Sequence, residues 1–143
     1  MSRSAEVQLK AKYATALKAL IGRDLTKKDG IARARLAACE KRLNLKLPLA
    51  LRLYYELAAA LPINKERNVL YDPQHIAKQS GKLVFMEENQ RVVFWGLRIE
   101  ALRRSDPEVF QAQNSTPTVW YSEELTVSDF ILKTWRWQRG LNS

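Results

Sequence analysis

Along residues 83–97, LVFMEENQRVVFWGL, two apolar runs flank a polar stretch. From Arg91 to Leu97 a period of two puts Val92 and Phe94 on one face and Val93, Trp95 and Leu97 on the other, so both faces are apolar and the segment predicts an interior strand. Leu83-Val84-Phe85-Met86 is apolar on both sides as well. Glu87 to Arg91 supplies the polar connection, and the two runs predict a central antiparallel hairpin.

Upstream, the apolar period changes to that of a helix. Leu9, Tyr13, Ala16, Leu17 and Leu20 predict an amphipathic helix over about residues 5–21, ended by Gly22 in a left-handed conformation. A second helix is expected from Thr26, with Asp29 placed to complete a capping box and Ala32, Leu36, Cys39 and Leu43 on one stripe. A third has Pro48 in its first turn and Pro62 as its stop, with Leu49, Leu53, Leu57 and Leu61 as its buried face.

Short apolar pieces then read as strands at Val69-Leu70-Tyr71, Val109-Phe110 and Val119-Trp120-Tyr121, separated by Asp72-Pro73, Ser80-Gly81, Asp106-Pro107 and Thr116-Pro117. A last helix is expected with Thr126 as cap and Phe130, Ile131 and Trp135 inward. Trp137 falls off that stripe, and the edge of the core is its favoured place over a contact position beside Arg136 and Arg139.

Composition fits one domain: 143 residues, 46% hydrophobic, are enough for a core of its own. The single cysteine, Cys39, excludes an intrachain disulfide, and one cysteine with one histidine gives no zinc set. With no apolar run long enough for a membrane span and no secretory core at the N-terminus, a cytoplasmic protein is expected. Charge divides unevenly. Residues 1–46 carry twelve Lys or Arg against four acids, and residues 47–143 carry twelve against eleven, so +8 of the net +9 is N-terminal.

The second helix concentrates that charge. Lys28, Arg35 and Arg42 are spaced by seven and form one column on a helix that starts at Thr26, widened by Lys27, Arg33 and Lys41. Such a column suits an anionic partner, nucleic acid included, although no aromatic residues interleave with it and an ordinary solvated face is favoured. Catalysis is not expected. Cys39 reads as a core thiol, His75 as a capping or polar residue, and the scattered glycines form no phosphate-cradling loop. No cofactor or metal is implied.

The order of motifs resembles the SUKH superfamily, whose members include bacterial immunity proteins against polymorphic toxins and a fungal regulator of cell-wall synthesis. The resemblance rests on Glu40 to Pro48, Leu53-Tyr54, Asn68 to Tyr71, Gly81 to Phe85, Asn89-Gln90, Trp95-Gly96, Asp106 to Val109, Trp120 and Ser128 to Ile131, and covers about residues 37–132. It implies an α+β domain, a mostly antiparallel sheet of four to six strands against helices, that works by binding another protein. Residues 1–36 would be a basic helical extension to a core spanning 37–143. Many members carry a glycine-rich turn where this chain has Ala59 to Asn64, so no partner contact of that loop transfers.

Three classes of function follow. A protein-binding module leads, with a toxin as one such partner; a basic nuclease is met best by acids and this chain is basic, so either such a toxin is not a nuclease or the contact is the near-neutral sheet side, where Glu87, Glu88, Glu123 and Glu124 at strand ends, beside Trp120 and Tyr121, are the expected contact residues. A nucleic-acid-associated protein using the basic helices is the second, and a scaffold or regulator of an endogenous partner the third.

Overall fold

In the computed structural model, which describes residues 3–141, the chain runs α1 (Arg3–Ile21), α2 (Arg33–Leu43), α3 (Leu49–Ala58), β1 (Asn68–Leu70), β2 (Ala77–Gln79), β3 (Lys82–Glu88), β4 (Val93–Arg98), β5 (Glu108–Gln113), β6 (Trp120–Thr126) and α4 (Val127–Gln138). The strands form one antiparallel sheet in the order β1-β3-β4-β5-β6, with β2 also on β3. The expected α+β class holds, and so does the hairpin: β3 pairs with β4, and β4 lies inside the sheet.

The two faces of β4 meet different surroundings. Trp95 and Leu97 join the main core beneath the helices, whereas Phe94 joins Val84 and Ala112 in a small second cluster on the opposite face. In β3 the register steps from Val84↔Gly96 to Met86↔Trp95, leaving Phe85 as a bulge. Leu83, Phe85 and Met86 therefore all enter the main core. The same bulge sets where the two following acids point.

Helices α1, α3 and α4 share that core. Tyr13 of α1 is fully buried, donates its hydroxyl to the Ala50 carbonyl at 2.9 Å and meets Tyr54 edge-on at 5.4 Å. Gly22 ends α1 at φ +78, as its position predicts. Lys12 ties α1 to the start of α4 by donating to Ser128 Oγ at 2.7 Å and Asp129 Oδ1 at 2.6 Å.

The second helix departs from expectation. Thr26 opens only a single 3-10 turn, Lys27–Asp29, and α2 begins at Arg33. Between them the backbone bonds to α3 instead of coiling: Ile31 N–H donates to the Tyr55 carbonyl at 3.1 Å, and the Asp29 carbonyl accepts from Ala60 N–H at 2.8 Å. Ala32 consequently sits at the α2 N-cap, exposed, while Leu36, Cys39 and Leu43 are buried as predicted.

Helix α3 is buried more broadly than a four-residue step allows. Ala50, Leu51, Leu53, Tyr54, Tyr55 and Ala58 are inside, and Leu49 and Leu57 are only partly so. Pro48 stands at its N-cap, and Pro62 starts a 3-10 turn, Pro62–Lys65. In α4 the Thr126 hydroxyl makes no cap and is buried without a partner. Asp106 takes that role from a distance: its carboxylate accepts from Ser128 N–H at 3.0 Å and from Ser128 Oγ–H at 2.6 Å. The Asp106-Pro107 pair is thus a helix cap, with the Pro107 carbonyl accepting Val127 N–H at 2.9 Å. Among the described residues no helix is long and apolar enough to cross a membrane.

Candidate functional site

The six residues expected to form one contact surface divide between the two faces of the sheet. After the Phe85 bulge, Glu87 lies on the face opposite the helices, paired across from Phe94, and Glu88 lies across from Asn68 on the helix side. Both belong to β3 itself, not to the turn. Trp120 sits across from Ala112 and stacks edge-on with Phe94 at 5.5 Å, so it also faces away from the helices. Tyr121 and Glu123 point the other way. Tyr121 is paired with Gln111, itself opposite Trp95, and is 62% exposed. Glu124 occupies a bulge, with φ +58, where the β5–β6 register passes from Phe110↔Ser122 to Glu108↔Thr126.

On the helix side Glu123, alone of the six, lines a groove of about 290 Å³ between the outer strand β6 and the C-terminal half of α4. Trp95, Phe130 and Trp137 supply aromatic walls, Leu125 and Leu141 aliphatic ones, and Glu123, Lys133 and Asn68 the polar groups. The Trp95 indole N–H donates to Glu123 Oε2 at 2.7 Å, which holds that carboxylate against the wall. Trp137 is 59% exposed, contrary to the expected place at the core edge, because the apolar stripe of α4 runs through Phe130, Ile131 and Trp135 and leaves it outside. The guanidinium stacked on it at 5.1 Å is that of Arg67, not of Arg136 or Arg139.

The opposite face carries cations laid on aromatic rings. Lys82 Nζ stands 5.1 Å from the Trp120 ring and 5.6 Å from Phe110, and Arg98 lies 4.6 Å over Phe110. Gly96 makes this reach possible, since a Cβ there would stand 3.2 Å from the Lys82 Cβ, in the lane that the lysine crosses. At the β1 end of this face Glu87 is already engaged, accepting from the Tyr71 hydroxyl at 2.7 Å and facing Arg91 at 3.4 Å. Burial, with that carboxylate beside it, pushes the Tyr71 phenol well above its ordinary range.

The expected basic column is broken up. Lys28 and Lys27 belong to the separate 3-10 turn, because the chain leaves helical geometry at Gly30. Arg33 faces Glu56 at 3.2 Å, and the same carboxylate holds Arg52 at 2.8 Å. Arg35 donates to Gln74 at 3.3 Å. Arg42 donates to the Pro73 and Ile76 carbonyls, each at 2.9 Å, and so fastens α2 to the 3-10 turn Pro73–His75. Elsewhere in residues 1–46, Lys10, Lys12, Lys18, Arg23 and Lys46 face carboxylates. Lys27, Lys28 and Lys41 remain exposed without an ion pair among the described residues.

Cys39 is buried, and burial raises its thiol above the ordinary value. His75 is exposed in the 3-10 turn Pro73–His75. Among the described residues no group of three or more His, Cys, Asp and Glu side chains is placed to hold a metal ion. What sequence reasoning missed is the pairing of Trp95 with Glu123 across two strand neighbours and the cation-bearing rings; both depend on strand order, which no local spacing encodes. No family model, curated protein or solved structure matches this chain.

Proposed function

We propose that this protein acts by binding another protein, without turnover, and that the partner meets the groove between β6 and α4. The observation that carries this reading is the exposure of Trp137, 59%, in the wall of a groove that Trp95 and Glu123 also line, with Tyr121, 62% exposed, two residues before Glu123 on β6. Large aromatic side chains held in solvent by a rigid scaffold favour a contact surface, and Trp and Tyr are among the residues that dominate interface energies. The motif order that resembles the SUKH superfamily supports the same class, namely neutralisation of a toxin or regulation of an endogenous partner by direct contact. Of the acids expected at such a contact, Glu123 and Glu124 remain on this strand, whereas Glu87 is committed to Tyr71 and Arg91.

The test is affinity capture from the native host, followed by reconstitution with the purified partner. Tyr121→Ala combined with Trp137→Ala should abolish a stoichiometric complex that Lys27→Ala, Lys28→Ala and Lys41→Ala leave intact. Retention of the complex by the aromatic double variant, or a turnover abolished by His75→Ala, would overturn the reading.

A second reading is favoured by one observation. Lys82 and Arg98 interleave with Phe110 and Trp120 on the sheet face away from the helices, the combination of rings and cations that single-stranded nucleic acid uses. It predicts binding of an oligonucleotide that weakens steeply with salt and with Lys82→Ala and Arg98→Ala. Salt-independent binding, or none, rejects it.

A further inference from the structure

The sheet seals one of its edges and leaves the other open. At the β1 edge, Tyr71 N–H donates to the Phe85 carbonyl and Asn89 N–H to the Arg67 carbonyl, so Arg67, Val69 and Tyr71 turn their main-chain groups to β3. The alternate residues, Asn68 and Leu70, turn theirs outward, and side chains meet them there. Asn68 N–H donates to Gln138 Oε1 at 2.6 Å, and the Leu70 carbonyl accepts from Lys65 Nζ at 2.6 Å. Strand β2, on the same side of β3, is only three residues long and carries an exposed lysine, Lys78, both of which discourage further pairing.

Strand β6 is seven residues long and has no such cap. Asn114 N–H donates to the Val92 carbonyl at 2.7 Å, so Asn114, Ala112 and Phe110 turn their main-chain groups to β4, and Gln111 turns its own to β6. Tyr121, opposite Gln111, is therefore bonded into the sheet, while Trp120 and Ser122 on either side of it turn N–H and C=O outward. Among the described residues no group bonds to those outward main-chain atoms. The bulge at Glu124, with φ +58, ends this open stretch.

The groups that answer such an edge are those of another strand. Trp120 and Ser122 stand about 6.8 Å apart along β6, the distance at which an extended chain repeats its own outward N–H and C=O. A helix has none to offer, because its main chain is bonded within itself. On the helix side an added strand would lie beside Tyr121, 62% exposed, and next to the groove walled by Leu125, Trp137 and Leu141, which suits apolar side chains at alternate positions. A second copy of the chain is the poorer occupant, because it would set another net charge of +9 against the first.

We propose that the partner adds an extended segment to the sheet at the outer edge of β6, bonding to the main chain of Trp120 and Ser122, with apolar side chains turned to Tyr121 and the groove. The proposal takes the existence of a partner from the protein-binding reading above; the edge itself stands on main-chain geometry. Amide hydrogen exchange and sedimentation equilibrium test the free chain first. In a monomer, the amides of Trp120 and Ser122 should exchange roughly a hundredfold faster than that of Tyr121. Slow exchange at both overturns the proposal, whether in a monomer or in a dimer that closes the edge with a second copy.

The full chain is then panned against a displayed library of random dodecapeptides. Bound peptides should protect the Trp120 and Ser122 amides, and should lose at least about tenfold in affinity with Ser122→Pro, which removes an N–H that no strand of the fold uses and which an edge strand tolerates. Ser122→Ala gives up the same side-chain bonds, to Glu108 and from Glu124 N–H, and should bind as wild type does. Selected peptides that leave both amides unprotected or bind Ser122→Pro unimpaired, or the selection of none, overturn the edge site. Should Ser122→Pro fail to fold, amide protection in the wild type decides. Capture of a host partner that survives Ser122→Pro and is lost with Tyr121→Ala plus Trp137→Ala rejects the edge and keeps the protein-binding reading. Peptides bound as described, with no stoichiometric partner recovered from the host, reject that reading and keep the edge.

Discussion

Gly30 lies against the main chain of Glu56 with no room for a side chain: a Cβ on Gly30 would stand 1.7 Å from the Glu56 carbonyl oxygen and 2.5 Å from its carbon. The approach is what lets residues 29–31 run along the end of α3, with Ala60 N–H on the Asp29 carbonyl and Ile31 N–H on the Tyr55 carbonyl. It also explains why α2 does not begin at Thr26. A helix continued through Gly30 would have to surrender both of these bonds.

Gly30→Ala should therefore destabilise the fold by about 2–4 kcal/mol, the sum of overpacking against an unyielding backbone and the loss of one or two hydrogen bonds. Chemical denaturation of the variant checks this. A change below about 0.5 kcal/mol, the usual range for a surface substitution, would mean that the two segments separate at no cost.

Asp29 controls the same junction through charge. Its carboxylate accepts from Arg23 at 2.9 Å through both oxygens, from Thr26 N–H at 2.7 Å and from Thr26 Oγ1–H at 3.3 Å. The Arg23 guanidinium first, and the Thr26 amide second, hold it well below the usual carboxylate range. A carboxyl lowered on folding stabilises the native state above its unfolded value, near pH 4, and loses that contribution as pH falls toward the folded value. Wild type should thus lose stability more steeply than Asp29→Asn between about pH 4 and pH 2. The arginine is half exposed, so the difference should shrink in high salt. Parallel acid titrations of stability for the two chains decide it.

A buried polar network joins α3, the following loop and α4. The Tyr54 hydroxyl donates to Asn64 Oδ1 at 2.6 Å and accepts from the Trp135 indole N–H at 2.5 Å, and Asn64 Nδ2 donates to the Ala58 and Leu61 carbonyls at 2.7 and 2.9 Å. All three side chains are fully buried. Asn64→Ala removes three side-chain hydrogen bonds and the side chain that fills the site, although the two carbonyls keep the Leu61 and Asn64 backbone N–H groups, and should cost about 2–4 kcal/mol, whereas Tyr54→Phe removes two hydrogen bonds and keeps the ring, and should cost about 1–2 kcal/mol. Thermal melts that rank the two in the opposite order would show that the asparagine is not the centre of the network.

How much of this was legible from residue order depends on the range of the contacts. The strand pair around Glu87 to Arg91, the helix ending at Gly22 and the stripe through Leu36, Cys39 and Leu43 follow local periodicity, and all are present. The cap of α4 by Asp106, the separation of Lys28 from Arg35, and the exclusion of Leu49 and Leu57 from the deep core follow from partners far along the chain. Bulges had the largest effect on the site. One extra residue at Phe85 sends Glu87 and Glu88 to their observed faces, and the irregular stretch at Glu124 shifts the β5–β6 register before it resumes at Glu108↔Thr126. A strict period of two has no means of placing such a step.

Trp135 and Trp137 put the two roles of α4 two residues apart. At roughly 100° per residue they diverge by more than half a turn, so that Trp135 is fully buried against Tyr54 and Trp137 is 59% exposed under Arg67. Trp135→Ala removes a large core side chain and leaves the Tyr54 hydroxyl short of a donor, and should cost about 3–5 kcal/mol. Trp137→Ala removes one stacked guanidinium contact at the surface and should cost less than about 1 kcal/mol. The binding consequence runs the other way: only Trp137→Ala should weaken a purified partner while leaving the melting curve nearly unchanged. Measuring melting and partner affinity for both variants separates the scaffold from its contact surface, and a Trp137→Ala variant that loses stability and keeps the partner would assign this tryptophan to the core after all.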